Sequence, residues 1–402
     1  MLDDTTAHRI DALLTGLDAE LVAVRRDLHA HPEVGRAEHR TTRVVAERLR
    51  AAGLRPRLLP GTGLVCDIGP AHGRRVLLRA DLDALPVPDS CAHPWRSTVH
   101  GMCHACGHDV HTAVVLGAGL TVAALDEEGL LPGGVRLLFQ AAEEIQPGGA
   151  IDAVDAGAMD GVGEVFAVHC EPKIDVGRIG TRIGPLTSAS DPVTVTLTGP
   201  GGHTSRPYLT ADVVFALAQV VTQVPAVLGR RLDPRSGVNL TWGEIHAGST
   251  HNAIPAVGSV RGTLRCLDVS AWEQAVAVLR DTVEQIAAPY GVEVDVQHLR
   301  GVPPVVNDAA STRLLDVAAR RMLGPDAVVL TEQSLGGEDF AWLLTRAPGS
   351  MLRLGTRTPG GRTFDIHQGD LDVDERSIGV GARVLAAAAV LATAGVGNIP
   401  VG

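Results

Sequence analysis

Two thiols, three imidazoles and a carboxylate occur within nine consecutive positions of the sequence, CHACGHDVH at residues 103 to 111. Cys106 and His108 are two residues apart and directly precede a candidate helix. Thiolate sulfur and imidazole nitrogen are ligands that zinc and related transition metals prefer in proteins. The segment therefore predicts ligands for divalent ions at a junction between a strand and a helix.

The same cluster also permits other interpretations. Cys103 and Cys106 form a C-x-x-C pair, which in a reduced compartment can be a redox dithiol. Covalent haem attachment is excluded, because glycine rather than histidine follows the second cysteine. A closed structural zinc site would need a second ligand pair of comparable spacing, and the sequence contains none. His104 and His111 are expected to be hydrogen-bonded structural histidines, and Asp109 suits the orientation of a neighbouring imidazole.

Two adjacent carboxylates, Glu143 and Glu144, follow the apolar run GVRLLFQ. An isolated Glu-Glu pair is usually solvated surface. Here the preceding run is typical of a buried strand, and open α/β sheets bind ligands at the carboxyl ends of their strands. Because neighbouring side chains diverge at a turn, one glutamate could bind an ion while the other contacts a water molecule.

Further polar residues follow other apolar runs. His169 ends a run in FAVHCEP, Asp81 and Asp83 end one in LRADLDALP, and His367 lies in the acidic, turn-rich segment FDIHQGD. We expect His169 at the end of a third strand, a position that favours ligation over a core role. The two aspartates could be ligands, helix caps or acceptors that orient ligands, and their spacing does not choose among these roles.

The order of candidate elements predicts an α/β protein that is interrupted by an insertion. In 1–187 and again in 305–402, candidate helices alternate with short β-branched runs, which is typical of a mostly parallel sheet with flanking helices. Between them the order is βαββαβ, the ferredoxin-like arrangement. Ser270 and Glu273 form a capping box that predicts the start of the second inserted helix. We therefore predict a catalytic domain from the two outer segments and an inserted lid domain at 188–304.

Composition restricts the class of protein. The formal net charge of −11 argues against a nucleic-acid-binding surface, which requires clustered Lys and Arg. Six cysteines in 402 residues are too sparse for the disulfide framework of a small secreted domain. The N-terminus lacks the features of a secretory signal, and the alanine-rich stretch near the C-terminus, shorter than a membrane span, is expected to be a buried helix. We expect a cytoplasmic protein that binds neither nucleic acid nor membrane.

Taken together, these segments resemble the hippurate hydrolase and aminoacylase branch of the carboxypeptidase-like dinuclear metallopeptidases, which includes acyl-amino-acid deacylases and auxin-conjugate hydrolases. The resemblance covers nearly the whole chain, with motifs in the same order: RRDLHAHPE, LRADLDALP, HACGHD, the Glu-Glu pair, FAVHCEP, GPGGHTSRP, HNAIP, GTLR, GGEDF and His367. It implies an α/β catalytic domain with a ferredoxin-like lid. It also implies hydrolysis of N-acyl-amino acids, such as acetyl or benzoyl derivatives, by a homodimer formed through the lid.

The resemblance implies roles for individual residues as well. Two divalent ions (zinc, manganese, cobalt or nickel) would be bound by Cys106, His108, Glu144, His169 and His367, with Cys106 bridging them. Glu143 would be the general base, and Asp83 would support the metal site. On the lid, His203 would stabilise the reacting carbonyl, often in the site of the partner subunit. Asn252 and Arg265 would contact the substrate carboxylate or nearby groups.

Three positions depart from the common pattern of that family. Cys103 stands where methionine is frequent, Ala141 where proline is usual before the glutamates, and Gly369 where proline is common. None of them is a predicted ligand, so the departures concern the shape of the site and hence the substrate. A dipeptidase or an N-carbamoyl-amino-acid hydrolase on the same scaffold stays open. So does a non-catalytic metal-dependent binding protein, although such a protein would not need Glu143.

Overall fold

The computed structural model describes residues 2–70, 73 and 75–395. The chain divides into two compact units. The first unit contains Met1–Gly184, Val306–Glu332 and Asp339–Gly402, and the second unit contains Pro185–Val305 and Gln333–Glu338. The insertion predicted at 188–304 lies within the second unit. The sequence assigned Gln333–Glu338 to the catalytic domain, whereas contacts in the folded chain group this segment with the insertion.

The secondary structure of the described residues is as follows. The helices are α1 (Asp4–Ala30), α2 (His39–Ala51), α3 (His108–Glu127), α4 (Gly149–Asp155), α5 (Val213–Arg231), α6 (Val269–Ala287), α7 (Ala309–Leu323), α8 (Ala341–Leu344) and α9 (Arg376–Thr393). The strands are β1 (Arg57–Leu58), β2 (Leu64–Ile68), β3 (Arg75–Asp81), β4 (Gly134–Gln140), β5 (Val162–Asp175), β6 (Ile179–Thr181), β7 (Gly184–Pro185), β8 (Ala189–Thr198), β9 (Gly202–His203), β10 (Asn239–Ala247), β11 (Ala253–Ile254), β12 (Val257–Cys266), β13 (Glu293–His298), β14 (Val306–Asn307), β15 (Val328–Leu330) and β16 (Gly349–Arg357).

The main sheet of the first unit has the strand order β1-β2-β4-β3-β5-β16-β6-β15. Its central strands β4, β3, β5 and β16 are parallel, whereas β1, β2 and β6 each join a neighbour in antiparallel orientation. All seven residues of β4 are buried. Such continuous burial explains why the strand is mostly apolar, because helices cover both faces of a sheet of this kind. The buried Arg136 within it is paired with Asp67. The predicted α/β class with a mostly parallel sheet is confirmed.

The two faces of the central strands differ in polarity. Alternate residues enter the large apolar core with α1, α3 and α9, namely Leu78, Phe166, Val168, Leu352 and Leu354. Successive residues of a strand point to opposite faces, so Arg79, His169 and Arg353 lie on the other face. The charged and imidazole side chains of three neighbouring strands are thereby gathered on one side of the sheet.

Two local predictions are wrong. β5 continues to Asp175, so His169 lies within a strand rather than at its end. The pairing of β5 with β3 nevertheless stops at Ala167, and His169 therefore projects beyond the end of that neighbour. α6 begins after Asp268, whose carboxylate accepts the N–H of Ala271, and not at a Ser270 cap. An aspartate satisfies the free N–H groups of the first turn as well as serine does, and it comes two residues earlier.

The second unit has the predicted βαββαβ order, formed by β8, α5, β10, β12, α6 and β13. Its sheet has the order β10-β12-β8-β13, and all neighbours are antiparallel. The two helices share one apolar core with the sheet, which includes Val195, Leu217, Val220, Val260 and Leu279. The ferredoxin-like fold predicted for the insertion is confirmed.

Three helices of the described chain, α3, α5 and α9, are long and apolar enough to cross a membrane by length and composition alone. In the fold, 83% of the apolar window is buried in α3 and in α9, and 33% in α5. The alanine-rich stretch predicted to be a buried helix forms part of α9, which packs against α3 and α7.

Candidate metal centre

The turn before α3 places Cys106 and His108 on either side of a glycine. Gly107 has φ = 84°, in the left-handed region, and a β-carbon on it would lie 2.7 Å from Cys170 Sγ. Both constraints favour glycine over any other residue. The turn directs Cys106, which is 5% exposed, and His108, which is 1% exposed, into one buried space.

His169 contributes a ring nitrogen to the same space. Its Nδ1 donates to the carbonyl oxygen of Cys170 at 2.8 Å, which leaves the lone pair of Nε2 available. Nε2 lies 3.5 Å from Cys106 Sγ. Burial, reinforced by the charge of Arg353, lowers the pKa of His169 well below its ordinary value. The imidazole is therefore neutral, as a metal ligand must be.

The turn after β4 holds the two adjacent glutamates apart. Ala142 has φ = 57°, a left-handed conformation that is strained for a residue with a β-carbon. Its N–H donates to Oε1 of the buried Glu38 at 2.7 Å. Two residues further along the chain, the backbone N–H of Glu144 donates to Asp83 Oδ2 at 2.9 Å. Two carboxylates from other segments thus hold a turn whose conformation is unfavourable by itself.

Carboxylates surround the ring of His108. Its Nε2 lies 3.8 Å from Glu144 Oε1 and 4.0 Å from Glu143 Oε2, and its Nδ1 lies 3.3 Å from Asp83 Oδ1. Ligand atoms of Cys106, His108 and Glu144 lie within 4.8 Å of one another. Both nitrogens of His108 and Oε1 of Glu144 are buried without a hydrogen-bond partner among the described residues. Buried polar atoms are rarely left unsatisfied, so a cation among these atoms fits the arrangement.

His367 reaches the same group from a distant part of the chain. Its ring atom Nε2 lies 3.3 Å from Glu144 Oε1, and its backbone N–H donates to the carbonyl oxygen of Ala105 at 2.7 Å. Cys106 and then Glu144 raise the pKa of His367 to about 10. The Glu144 carboxylate beside this ring therefore favours a cation, whether a proton or a metal ion. The structure brings all five predicted ligands together.

Asp81 and His111 belong to a neighbouring hydrogen-bond network. Asp81 accepts from Arg79 Nη1 and from His111 Nδ1, both at 2.6 Å, and His111 Nε2 accepts the N–H of Cys170 at 2.8 Å. Arg79 also contacts the buried Asp339 at 2.8 Å. These contacts occupy the atoms that a metal ion would need, so we assign the pair to support. Sequence reasoning missed Arg79 and Asp339, and a charged residue inside the buried run RVLLRAD was the available signal.

A second buried network supports the start of α3. Asp109 Oδ2 contacts Arg25 Nε and His29 Nδ1, each at 2.8 Å. Asp109 thus orients an imidazole, as its type predicted, but that imidazole belongs to His29 of α1. Neither Arg25 nor His29 was predicted from the sequence as part of the site, because only the fold brings α1 to this turn.

The surroundings of the C-x-x-C pair do not favour the redox alternative. Burial raises the pKa of Cys103 to about 12 and also raises that of Cys106, whereas a reactive dithiol needs a thiol of lowered pKa.

His104 differs from the prediction that it is a hydrogen-bonded structural histidine. Both of its ring nitrogens are buried without a hydrogen-bond partner in the part of the chain that the structure describes, and burial lowers its pKa to about 4.

The residues predicted to act from the lid lie on the second unit. His203 is on β9, which pairs with β11 directly after Asn252, so these two are neighbours. His203 Nδ1 accepts the N–H of Ser205 at 3.1 Å, and the neutral ring therefore carries its proton on Nε2. Arg265 lies on another strand, where its Nη1 donates to the carbonyl oxygen of Leu335 at 2.5 Å.

Comparison with known families accounts for this combination of fold and site. The model of peptidase family M20/M25/M40 matches residues 77–390, a range that contains the predicted ligands from Cys106 to His367. The chain belongs to this family. The M20 chain also superposes on YxeP of Bacillus subtilis, described as a dinuclear metal-binding peptidase of the M20 family. The TM-score is 0.83, with 31% identity over 94% of this chain and 99% of YxeP.

Two relatives illustrate the range of names within the family. An N-acetyl-L-cysteine deacetylase of Bacillus subtilis is 35% identical over 368 residues, which cover 91% of this chain and 86% of that protein. A Rhodococcus jostii protein named as a glutamate–cysteine ligase is 47% identical over 371 residues, which cover 92% of this chain. The match covers only 46% of that protein, so this M20 chain spans about half its length.

Removal of the Glu38 carboxylate is expected to lower turnover indirectly. Glu38 is not a predicted metal ligand, and it acts by holding the turn that carries the two glutamates. Glu38→Ala leaves the N–H of Ala142 without its acceptor and the Thr62 hydroxyl without its partner. We expect kcat to fall roughly 10- to 100-fold, because small displacements of a reacting group cost that much. The free energy of unfolding should also fall by about 1–3 kcal/mol, the cost of an unsatisfied buried donor. Steady-state kinetics and thermal melts measure the two effects.

Glu38→Gln is the matched control. Burial raises the pKa of Glu38, and glutamine keeps an oxygen that can accept the N–H of Ala142. We expect this variant to keep most of the activity. Equal losses in the two variants would show that the negative charge, and not the acceptor at the turn, is what matters.

Proposed function

We propose that this M20-family protein is a metal-dependent amidohydrolase that cleaves N-acyl-amino acids to a carboxylic acid and a free amino acid. Acetyl, benzoyl or related acyl groups are the proposed substrates, as in the hippurate hydrolase and aminoacylase branch. The observation that carries the proposal is the cluster of Cys106, His108 and Glu144 with Glu143 beside it. The relative named as an N-acetyl-L-cysteine deacetylase supports the substrate class.

The proposed cofactor is a pair of divalent ions, zinc, manganese, cobalt or nickel, held by Cys106, His108, Glu144, His169 and His367. The name of YxeP as a dinuclear metal-binding peptidase supports the number of ions. A mixed set of thiolate, imidazole and carboxylate suits these metals, and the thiolate favours the softer ones. Bound divalent ions supply Lewis acidity, which polarises an amide carbonyl and makes water easier to deprotonate at neutral pH.

The residues of the chain would divide the remaining work. Glu143 accepts a proton from the attacking water and returns it to the departing nitrogen. The carboxylate of Asp83 lies 3.3 Å from His108 Nδ1 and accepts the backbone N–H of Glu144, so it would support both residues. The Nε2–H of His203 donates to the oxygen that becomes negatively charged, a contribution of about 3 kcal/mol when well placed. Asn252 and Arg265 are the proposed contacts of the substrate carboxylate or nearby groups.

A peptide substrate is the second candidate, since YxeP is described as a peptidase. Metal analysis of the purified protein together with a substrate panel separates the candidates. The panel contains acetyl-, benzoyl- and carbamoyl-amino acids and dipeptides. We expect bound divalent metal and the highest kcat/KM on an acetyl- or benzoyl-amino acid. Preference for a dipeptide would indicate a dipeptidase, and preference for a carbamoyl derivative would indicate an N-carbamoyl-amino-acid hydrolase. Binding without turnover would indicate a non-catalytic protein.

We further propose a cytoplasmic homodimer that is formed through the second unit. The exposed edge strand β10 carries Ile245, which is 54% exposed, and α5 carries Phe215, which is 52% exposed. An open sheet edge and exposed apolar side chains both suit association with a second copy. Sedimentation analysis of the purified protein should give twice the mass of the chain, and a monomer at micromolar concentration would contradict this assembly.

A further inference from the structure

Arg353 on β16 is a buried arginine whose charge is not balanced within the described residues. The buried arginines there are Arg25, Arg79, Arg136 and Arg353, each at most 6% exposed. Three of them contact carboxylates: Arg25 contacts Asp109, Arg79 contacts Asp81 and Asp339, and Arg136 contacts Asp67. Arg353 has neither an ion pair nor a hydrogen bond in the part of the chain that the structure describes.

The position of Arg353 relates this charge to the candidate metal centre. In the parallel ladder Arg353 is directly opposite His169 of β5, so the two side chains lie on the same face of the sheet. The two are near enough for the charge of Arg353 to act on the imidazole of His169. The guanidinium therefore lies beside a predicted ligand, at the end of β5 that extends past β3.

An unpaired buried cation is strongly destabilising, and proteins ordinarily place an acid against it. Beside a centre that is itself proposed to bind cations, the need for a negative partner is greater still. A guanidinium is always protonated, and its planar fork of N–H donors matches the two oxygens of a carboxylate. The missing partner is therefore best supplied by a ligand that carries a carboxylate.

We propose that Arg353 binds a carboxylate of the substrate and so selects acidic over neutral amides. This proposal rests on the proposed function, and it assigns to the first unit a specificity residue that is independent of Asn252 and Arg265. The carboxylate could belong to the amino-acid half or to the acyl half of the substrate. Both sources present the same group to the guanidinium, and substrates that differ in one half at a time separate them.

The test compares metal-loaded wild-type protein with Arg353→Met and Arg353→Lys. N-acetyl-amino acids are paired with their C-terminal amides, and N-succinyl derivatives with N-butyryl derivatives of the same amine. We expect wild-type protein to prefer the charged member of one pair. In Arg353→Met the KM for that member should rise roughly 10- to 100-fold, as expected for loss of a charge-assisted hydrogen bond, with a smaller change in kcat. Arg353→Lys keeps the charge without the fork and should fall between the two proteins.

Arg43→Met is the matched control, because Arg43 is on α2 with its side chain 64% exposed and should leave both preferences unchanged. Metal content and melting temperature, measured for every variant, identify a loss that comes from misfolding. If wild-type protein hydrolyses both members of each pair equally well, the Arg353 proposal is overturned without reference to any variant. The same follows if Arg353→Met retains the wild-type preference. Absence of hydrolysis of every N-acyl-amino acid by metal-loaded protein would instead overturn the proposed function.

Discussion

Glu143→Gln is expected to retain its full content of metal and to lose nearly all turnover. The carboxylate of Glu143 lies beside His108, at 4.0 Å from Nε2, but it is not one of the five predicted ligands. Glutamine has almost the same shape and cannot take up a proton at neutral pH. Loss of a general base lowers the rate by about 10²- to 10⁴-fold. Single-turnover kinetics and elemental analysis of the same preparation measure the two quantities.

Two further variants complete this experiment. Glu144→Gln should lose metal as well as activity, because Glu144 Oε1 faces both His108 and His367. Glu47→Gln changes a glutamate whose side chain is 64% exposed and should affect neither quantity. Retained turnover in Glu143→Gln, or loss of metal in that variant with full occupancy in Glu144→Gln, would reverse the two assignments.

Replacement of Cys106 by serine is expected to release metal. Burial raises the pKa of the Cys106 thiol, so the protein alone does not form the thiolate, and a bound cation is what favours it. A serine hydroxyl does not ionise at neutral pH. Loss of a residue that merely hydrogen-bonds a metal ligand lowers metal affinity roughly 10- to 100-fold. Loss of the ligand Cys106 itself should therefore lower the affinity by more than that. Competition with a chelator of known affinity measures the change.

The C-x-x-C pair supplies the control for that variant. Cys103 is three residues away, also buried, and outside the predicted ligand set. Cys103→Ser should leave metal affinity nearly unchanged, whereas a redox function of the pair would make both cysteines essential. Wild-type protein should lose activity with the chelator and regain it when a divalent metal is restored. Full activity in metal-free protein would contradict every role proposed for the five ligands.

The sequence indicated the ligand types well because their signals are local. Cys106 and His108 are separated by a single glycine, and Glu143 and Glu144 follow a strand whose burial is indicated by its mostly apolar sequence. The resemblance then selected His169 and His367, whose local patterns are weak. His367 illustrates this weakness, since its left-handed backbone and its hydrogen bond to Ala105 have no signature in the surrounding turn.

The sequence by itself therefore determined the fold class, the ferredoxin-like order of the insertion and the residue types gathered for metal binding, because periodicity and short spacing encode them. The tertiary structure alone decided which groups support that set. Glu38 holds the glutamate turn, His29 and Arg25 contact Asp109, and Arg353 lies beside His169 without an acidic partner among the residues that the structure describes. These relations join residues far apart in the chain, and no local pattern specifies contacts that exist only once distant strands and helices have packed.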